Sequence, residues 1–168
     1  MTQQKFDACS EKAAELQESG YNCCQSVVEA LSGEIEMEEK EKEKEKERGK
    51  RKEERGKRKE EKEEIKAEAK ADKETLHKLA SGFAVGMGNT EGTCGSLIGA
   101  IMIAGLKSGG KGAFRISRRI NENFRARSGA ITCKELKSKV DGKELCPCGD
   151  CVRNAVKAYF EVMSEFQK

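Results

Sequence analysis

The chain has 168 residues, eight cysteines, a single proline, no tryptophan and a formal net charge of +3. Near-balanced charge without a basic stripe among aromatics argues against nucleic-acid binding, and the longest apolar run, 94–106, is too short and glycine-rich to span a bilayer. The start of the chain lacks the basic-then-apolar pattern of a signal peptide, so a cytoplasmic protein is expected; there, cysteines stay reduced and serve as metal ligands or redox thiols.

Residues 3–19 read as an amphipathic helix, with Phe6, Cys9, Ala13 and Leu16 at helical spacing. Gly20 ends it, and Asn22 can cap a second helix over about 23–32 that carries Cys23, Cys24, Val27, Val28 and Leu31. A charged segment follows: residues 34–74 hold 16 Lys/Arg and 17 Asp/Glu. Without it, the other 127 residues have the charge content of an ordinary globular domain. All eight cysteines lie outside it. The expected organisation is therefore one helical domain, 1–33 and 75–168, interrupted by a low-complexity insertion at 34–74. Inside the insertion a heptad at 48–54 repeats at 55–61 without one apolar residue, so it offers no coiled-coil seam. It reads as a frayed helical or disordered segment; the functional alternative is an electrostatic docking arm.

Packing signals resume with a helix over about 75–85, in which Leu76, Leu79, Ala80, Phe83 and Ala84 are the expected buried positions. A glycine loop, 86–92, follows, and Thr93 could cap a nearly all-apolar helix from Cys94 that reads as central and buried. Its Gly95/Gly99 face would suit close helix packing within the subunit or across a homodimer. An amphipathic helix at 113–127 uses Phe114, Ile116, Ile120 and Phe124. A short helix or turn begins at Cys133, and a last helix runs from about Asp150 to Phe166. With no strong alternating strand pattern, the fold class is all-α, a small bundle of about five or six helices.

The chemistry concentrates in sulfur. Cys23, Cys94, Cys133 and Cys151 fall at helix starts or loop edges, where backbone N–H groups and the helix dipole favour a thiolate. Three further cysteines extend the set: Cys24 beside Cys23, and Cys146 and Cys148 in the run Cys146-Pro-Cys-Gly-Asp-Cys151. Four thiolates can hold an iron–sulfur cluster, zinc or another thiophilic metal. Cys148 and Cys151 also have the spacing of a dithiol redox pair at a helix start. The plain alternative for any one of them is a buried cysteine used as a small apolar residue, which fits Cys9 best. No C-x-x-C-H run occurs, so covalent c-type haem is not expected. The one histidine, His77, reads as solvated.

These residues resemble the C_GCAxxG_C_C family of cysteine-rich redox-active proteins. The matching pieces are Gly20-Tyr-Asn-Cys-Cys-Gln25, Gly82-Phe-Ala-Val-Gly-Met-Gly88, Thr93-Cys-Gly-Ser-Leu-Ile-Gly-Ala100, Gly105-Leu-Lys, Cys133-Lys-Glu-Leu and Cys151-Val-Arg-Asn-Ala155. Gly95-Ser96 after Cys94 departs from the family's Gly-Cys-Ala pattern, and the charged insertion is peculiar to this chain. Carried over by position, the family cysteines are Cys23, Cys94, Cys133 and Cys151. The expectation is a redox or electron-transfer protein with an iron–sulfur cluster or other thiophilic metal on those four, Cys24, Cys146 and Cys148 being secondary candidates, and with a redox partner of unknown kind. The alternatives are a metal-free thiol–disulfide protein using Cys148 and Cys151, or a zinc-stabilised interaction protein.

Overall fold

The computed structural model describes residues 3–34 and 73–166. The heptad repeat and the rest of 35–72 lie outside the described residues. Among those described there are seven helices and one two-stranded sheet: α1 (Gln3–Glu18), α2 (23–34), α3 (73–81), α4 (Gly95–Lys107), α5 (Ala113–Ser128), α6 (Cys133–Leu136), β1 (Lys139–Val140), β2 (Lys143–Glu144) and α7 (Cys148–Phe166). The fold is all-α. No described helix is long and apolar enough to cross a membrane.

The apolar α4 is buried, as expected, and α7 shares the centre with it. Val152, Ala155, Val156, Ala158, Tyr159, Phe160 and Val162 are fully buried, and α7 packs against α1, α4 and α5. The ring of Phe6 on α1 stacks on Phe160 at 4.5 Å between centroids. Within α4 only Leu106, near its end, is exposed, and the polar residues of α7 are confined to one stripe. Two other expected core positions are on the surface, Leu79 and Phe114, the latter 82% exposed. Phe114 sits in the first turn of α5, ahead of the seam set by Ile116, Ile120 and Phe124.

The edges of the charged segment belong to the helices. Glu34 ends the described part of α2, buried, with Lys5 at 2.5 Å and Lys107 at 3.0 Å. Burial alone would raise its pKa, but hydrogen bonds from both lysines outweigh that and lower it. Lys73, at the start of α3, reaches back to Glu29 on α2 at 3.0 Å. His77 is half-buried rather than solvated: its Nε2 lies 3.1 Å from the Gln25 amide nitrogen, with Tyr21 edge-on.

The hairpin β1–β2 is antiparallel, pairing Lys139 with Glu144 and Val140 with Lys143. Its turn, Asp141-Gly142, has φ of 52° and 82°, the doubly positive pattern that an Asp-Gly pair favours in a two-residue hairpin. The strands are too short to give an alternating pattern in the sequence; the Asp-Gly dipeptide was the available signal.

Candidate functional site: a six-thiol chamber

Each cysteine is placed by local backbone chemistry. Asn22 caps α2: its Oδ1 accepts the N–H groups of Cys24 and Gln25 at 3.0 Å, and the Gln25 side chain returns a bond to the Asn22 N–H. That fixes Cys23 in the first turn. The start of α4 then presses against it. A Cβ on Gly95 would collide with the Phe83 carbonyl oxygen and come within 2.7 Å of Cys23 Sγ, and one on Gly99 would lie 2.8 Å from the Cys24 carbonyl oxygen. Only glycine permits this approach.

Cys94, not Thr93, is the N-cap of α4, and no side chain caps the helix there. Its N–H bonds the Ile131 carbonyl at 2.8 Å, and Thr93 pairs with Thr132 in an isolated bridge. Thr132 in turn caps α6, accepting the Glu135 N–H, so that Cys133 opens a helical turn beside Cys94. The hairpin then returns the chain, and the Cys146 N–H bonds the Leu136 carbonyl at 2.9 Å. α7 begins at Cys148, two residues earlier than expected, with Cys151 buried in its first turn.

The result is a cavity of about 160 Å³ whose wall carries Cys23, Cys94, Cys133, Cys146, Cys148 and Cys151. The four expected principal residues are thus together, with Cys146 and Cys148. Cys24 is not on the wall: it is fully buried in the core behind Cys23, and its thiol is pushed up to about 12 by burial. Cys9 lies on α1 away from the chamber, and His77 does not line it. All eight cysteines are free thiols.

Cys151 organises the electrostatics. Its thiol donates to the Cys146 carbonyl at 3.4 Å, and the neighbouring Cys146 and Cys94 side chains favour its protonated form, which raises its own pKa strongly. The Cys151 side chain in turn lowers Cys94 to about 6, helped by the Ser96 hydroxyl at 3.0 Å and by the N–H groups of Ser96 and Leu97 at the start of α4. Cys146 is lowered for the same first reason. Burial raises Cys23 to about 11, with the neighbouring Cys94 adding to the rise and the Val85 N–H, bonded to the Cys23 sulfur, opposing it. Cys133 is raised by burial and then by Cys94.

The Val85 contact comes from an unusual loop. Val85, Gly86, Met87 and Gly88 all have left-handed φ, 51°, 59°, 61° and 84°, and Thr90 follows at 65°. A left-handed turn is costly for any residue with a Cβ and most so for β-branched valine. It is held by 131–134: Cys133 N–H bonds the Gly92 carbonyl at 3.0 Å and Lys134 N–H the Thr90 carbonyl at 2.8 Å. A Cβ at Gly86 would stand 2.8 Å from Cys133 Cβ.

Three contributors were not anticipated: the Val85 N–H, the Ser96 hydroxyl and Lys137. Lys137 is the only charged side chain lining the cavity among the described residues, and it shares that wall with Cys148. Its signal was its place one helical turn after Cys133. Among the described residues no group of three or more His, Cys, Asp or Glu side chains is gathered closely enough to hold a metal ion.

Comparison with known proteins agrees with the cysteine pattern. The family described as "Putative redox-active protein (C_GCAxxG_C_C)" matches residues 62–162, more than half of the chain, and the chain belongs to that family. The match includes five of the six chamber cysteines and leaves Cys23 outside it. No curated protein and no solved structure matches the chain.

Proposed function

We propose, with membership of this redox-active family as the premise, that the chamber houses a polynuclear sulfur-ligated metal centre, an iron–sulfur cluster foremost, and that the protein is an electron carrier. The observation that supports this reading is the convergence of six cysteines, from the start of α2 to the first turn of α7, on one cavity. Two cysteines suffice for disulfide exchange. A lone tetrahedral ion would need its sulfurs about 3.8 Å apart, given metal–sulfur bonds of about 2.3 Å, and no described group meets that need. Sulfurs spread around a void fit a group of several atoms better.

Cys23, Cys94, Cys133 and Cys151 would be the ligands, with Cys146 and Cys148 as substitutes or spare thiols. Such a centre supplies one-electron chemistry when bound. The chain's own contributions are specific. The Val85 N–H would keep its bond to the Cys23 sulfur, and hydrogen bonds to ligand sulfurs are a lever on potential. Lys137 offers the one positive charge on the wall against the negative charge of the thiolates. Tyr21 and Val85, both exposed, also line the cavity. Cytoplasmic reducing conditions and a soluble redox partner complete the reading.

Oxygen-free purification of the full chain should yield a coloured protein with iron and acid-labile sulfide. Serine variants at the four ligand positions should lose both. A colourless, metal-free protein of full native helicity would overturn the cluster reading.

One observation favours a second reading, a metal-free thiol–disulfide protein: the buried Cys151 thiol shares one wall with Cys94 and Cys146, close enough to influence the titration of both. Mild oxidation followed by peptide mapping separates the two. This reading requires a specific bridge from Cys151 to Cys94 or Cys146, in place of the Cys148–Cys151 pair that spacing alone favours.

A further inference from the structure

The six thiols of the chamber are not equally reachable. Cys94, Cys133, Cys146 and Cys151 are buried, and only Cys23 and Cys148 are half-exposed. Cys23 is engaged from within: its sulfur receives the Val85 N–H and lies against the glycine face of α4. Cys148 is different. It stands between the exposed Pro147 and the half-exposed Gly149, and it shares the cavity wall with the ammonium-bearing Lys137.

Lys137 leads from this thiol towards solvent. Its side chain is 35% exposed, and its nearest acidic neighbour is Glu144 on β2 at 3.6 Å, a long ion pair that leaves the ammonium able to meet another anion. The other nearby carboxylate, Asp150, is turned to Arg153 at 3.4 Å. A nucleophilic sulfur and a cation thus share one mouth, with the cavity behind them.

We propose that Cys148 is a thiolation site for small anionic disulfides, recruited by Lys137, and that the resulting mixed disulfide closes the chamber. The Cys148 sulfur attacks one sulfur of a disulfide RS–SR. The S–S bond breaks, the Cys148–S–S–R bond forms, and the departing sulfur leaves with the bonding electron pair and gains the proton lost by the Cys148 thiol. One thiol and one disulfide are consumed and one of each is formed. The appended group lies at the mouth and bars traffic to the thiols behind it. Site and selectivity stand on the geometry of the mouth; the consequence for metal rests on the function proposed above.

The test uses the reduced, metal-free full chain with two probes of opposite charge, oxidised glutathione and cystamine, and reads adduct formation at each cysteine by peptide mapping. The anionic probe should modify Cys148 first and faster than the cationic one. Lys137→Gln should lower that preference about three- to tenfold, as expected for removing one nearby charge at a partly solvated site. Lys137→Arg should keep it, and Glu144→Gln should raise it. Cys9, half-exposed on α1, is the internal reference, and its rates should not change in these variants. Circular dichroism checks that each variant is folded. Adducts appearing first on Cys23 or Cys9, or a preference indifferent to Lys137→Gln, would overturn the site. The thiolated protein should take up iron and sulfide more slowly than the unmodified one; equal uptake would overturn the closing step. If unmodified protein takes up neither, the cluster reading fails, while the adduct map still decides this proposal.

Discussion

Gly95 and Gly105 lie in the same helix, and alanine at the two should have opposite effects. In a helix interior, glycine to alanine is worth up to about 1 kcal/mol through backbone entropy. At Gly105 nothing lies within 4 Å of the added methyl group, so most of that gain should be realised, less some for its place in the last turn. At Gly95 the methyl group meets the Phe83 carbonyl oxygen, which is backbone, and Cys23 Sγ at 2.7 Å. Overpacking costs typically about 1–3 kcal/mol, and a clash with backbone belongs at the upper end. The net for Gly95→Ala is a loss of about 1–2 kcal/mol, or roughly 3–8 °C in Tm for a domain of this size. The assay is thermal and urea unfolding of the reduced, metal-free protein, with Cys23 alkylation by a neutral reagent as the local readout. Gly105→Ala should raise Tm by a few degrees, in rough proportion to its smaller energy, and leave Cys23 unchanged. Gly95→Ala should lower Tm and expose Cys23. If both variants stabilise, α2 and α4 are not in the contact described, and the placement of Cys23 on the wall falls with it.

Val85→Gly should stabilise the protein by about 0.5–1 kcal/mol, because relief of left-handed strain exceeds the added entropy of the unfolded chain; a lower urea midpoint would mean that Val85 packing outweighs its strain. For pH, Cys94 has its pKa lowered from 9.0 to about 6 on folding, so its contribution is complete above pH 9 and is lost as pH falls through 6. Cys23 and Cys24, raised to about 11 and 12, contribute fully below pH 9 and lose that as pH rises through their folded values. The urea midpoint of reduced, metal-free protein should therefore fall from pH 9 towards 6, and Cys94→Ser should flatten that limb; an unchanged slope in the variant would remove Cys94 as its source. Joining Glu34 to Lys73 by a short Gly/Ser turn in place of 35–72 should leave helicity elsewhere intact and raise stability by about 1–2 kcal/mol, since Lys73 already reaches Glu29 and a shorter loop costs less to close. Loss of helicity would show that the segment is part of the fold.

The fold class was legible because its helices obey the 3.6-residue period, and α1, α5 and α7 are found within about two residues of their expected bounds. α4, read as central and buried from its apolar run, packs against α2, α5 and α7, and α7 joins it at the centre by meeting α1, α4 and α5. Charge composition misplaced the edge of the insertion: Glu34 reads as part of an acidic run, but two lysines distant in sequence allow its burial. The chamber cysteines were legible from their places at helix starts. Only the family resemblance ranked Cys23 ahead of Cys24, since adjacent residues in a first turn differ by a rotation of about 100° and the docking of α4 decides which of them faces the cavity. The loop at 85–90 was read as a glycine turn, but its left-handed path continues through Val85 and Met87, where no residue preference would place it. Contacts from 131–134 impose it.

That same imposition ties the site to the stability of the fold. The segment 131–134 holds Cys94 through Ile131, carries Cys133, and clamps the loop that supplies the Val85 N–H. On the other side, the close packing of α4 on α2 is both a core contact and the reason Cys23 meets the cavity. Neither wall can be altered without moving a thiol. The mouth, by contrast, is formed by Lys137 and Cys148, with the short hairpin between them in the chain, whose strands are exposed and contribute little to the core. Variation there can change what reaches the thiols without disturbing how they are held. Selectivity and partner choice should therefore be adjustable through residues 137–145, whereas the geometry of the six sulfurs should tolerate change only together with the packing of α2, α4 and α7.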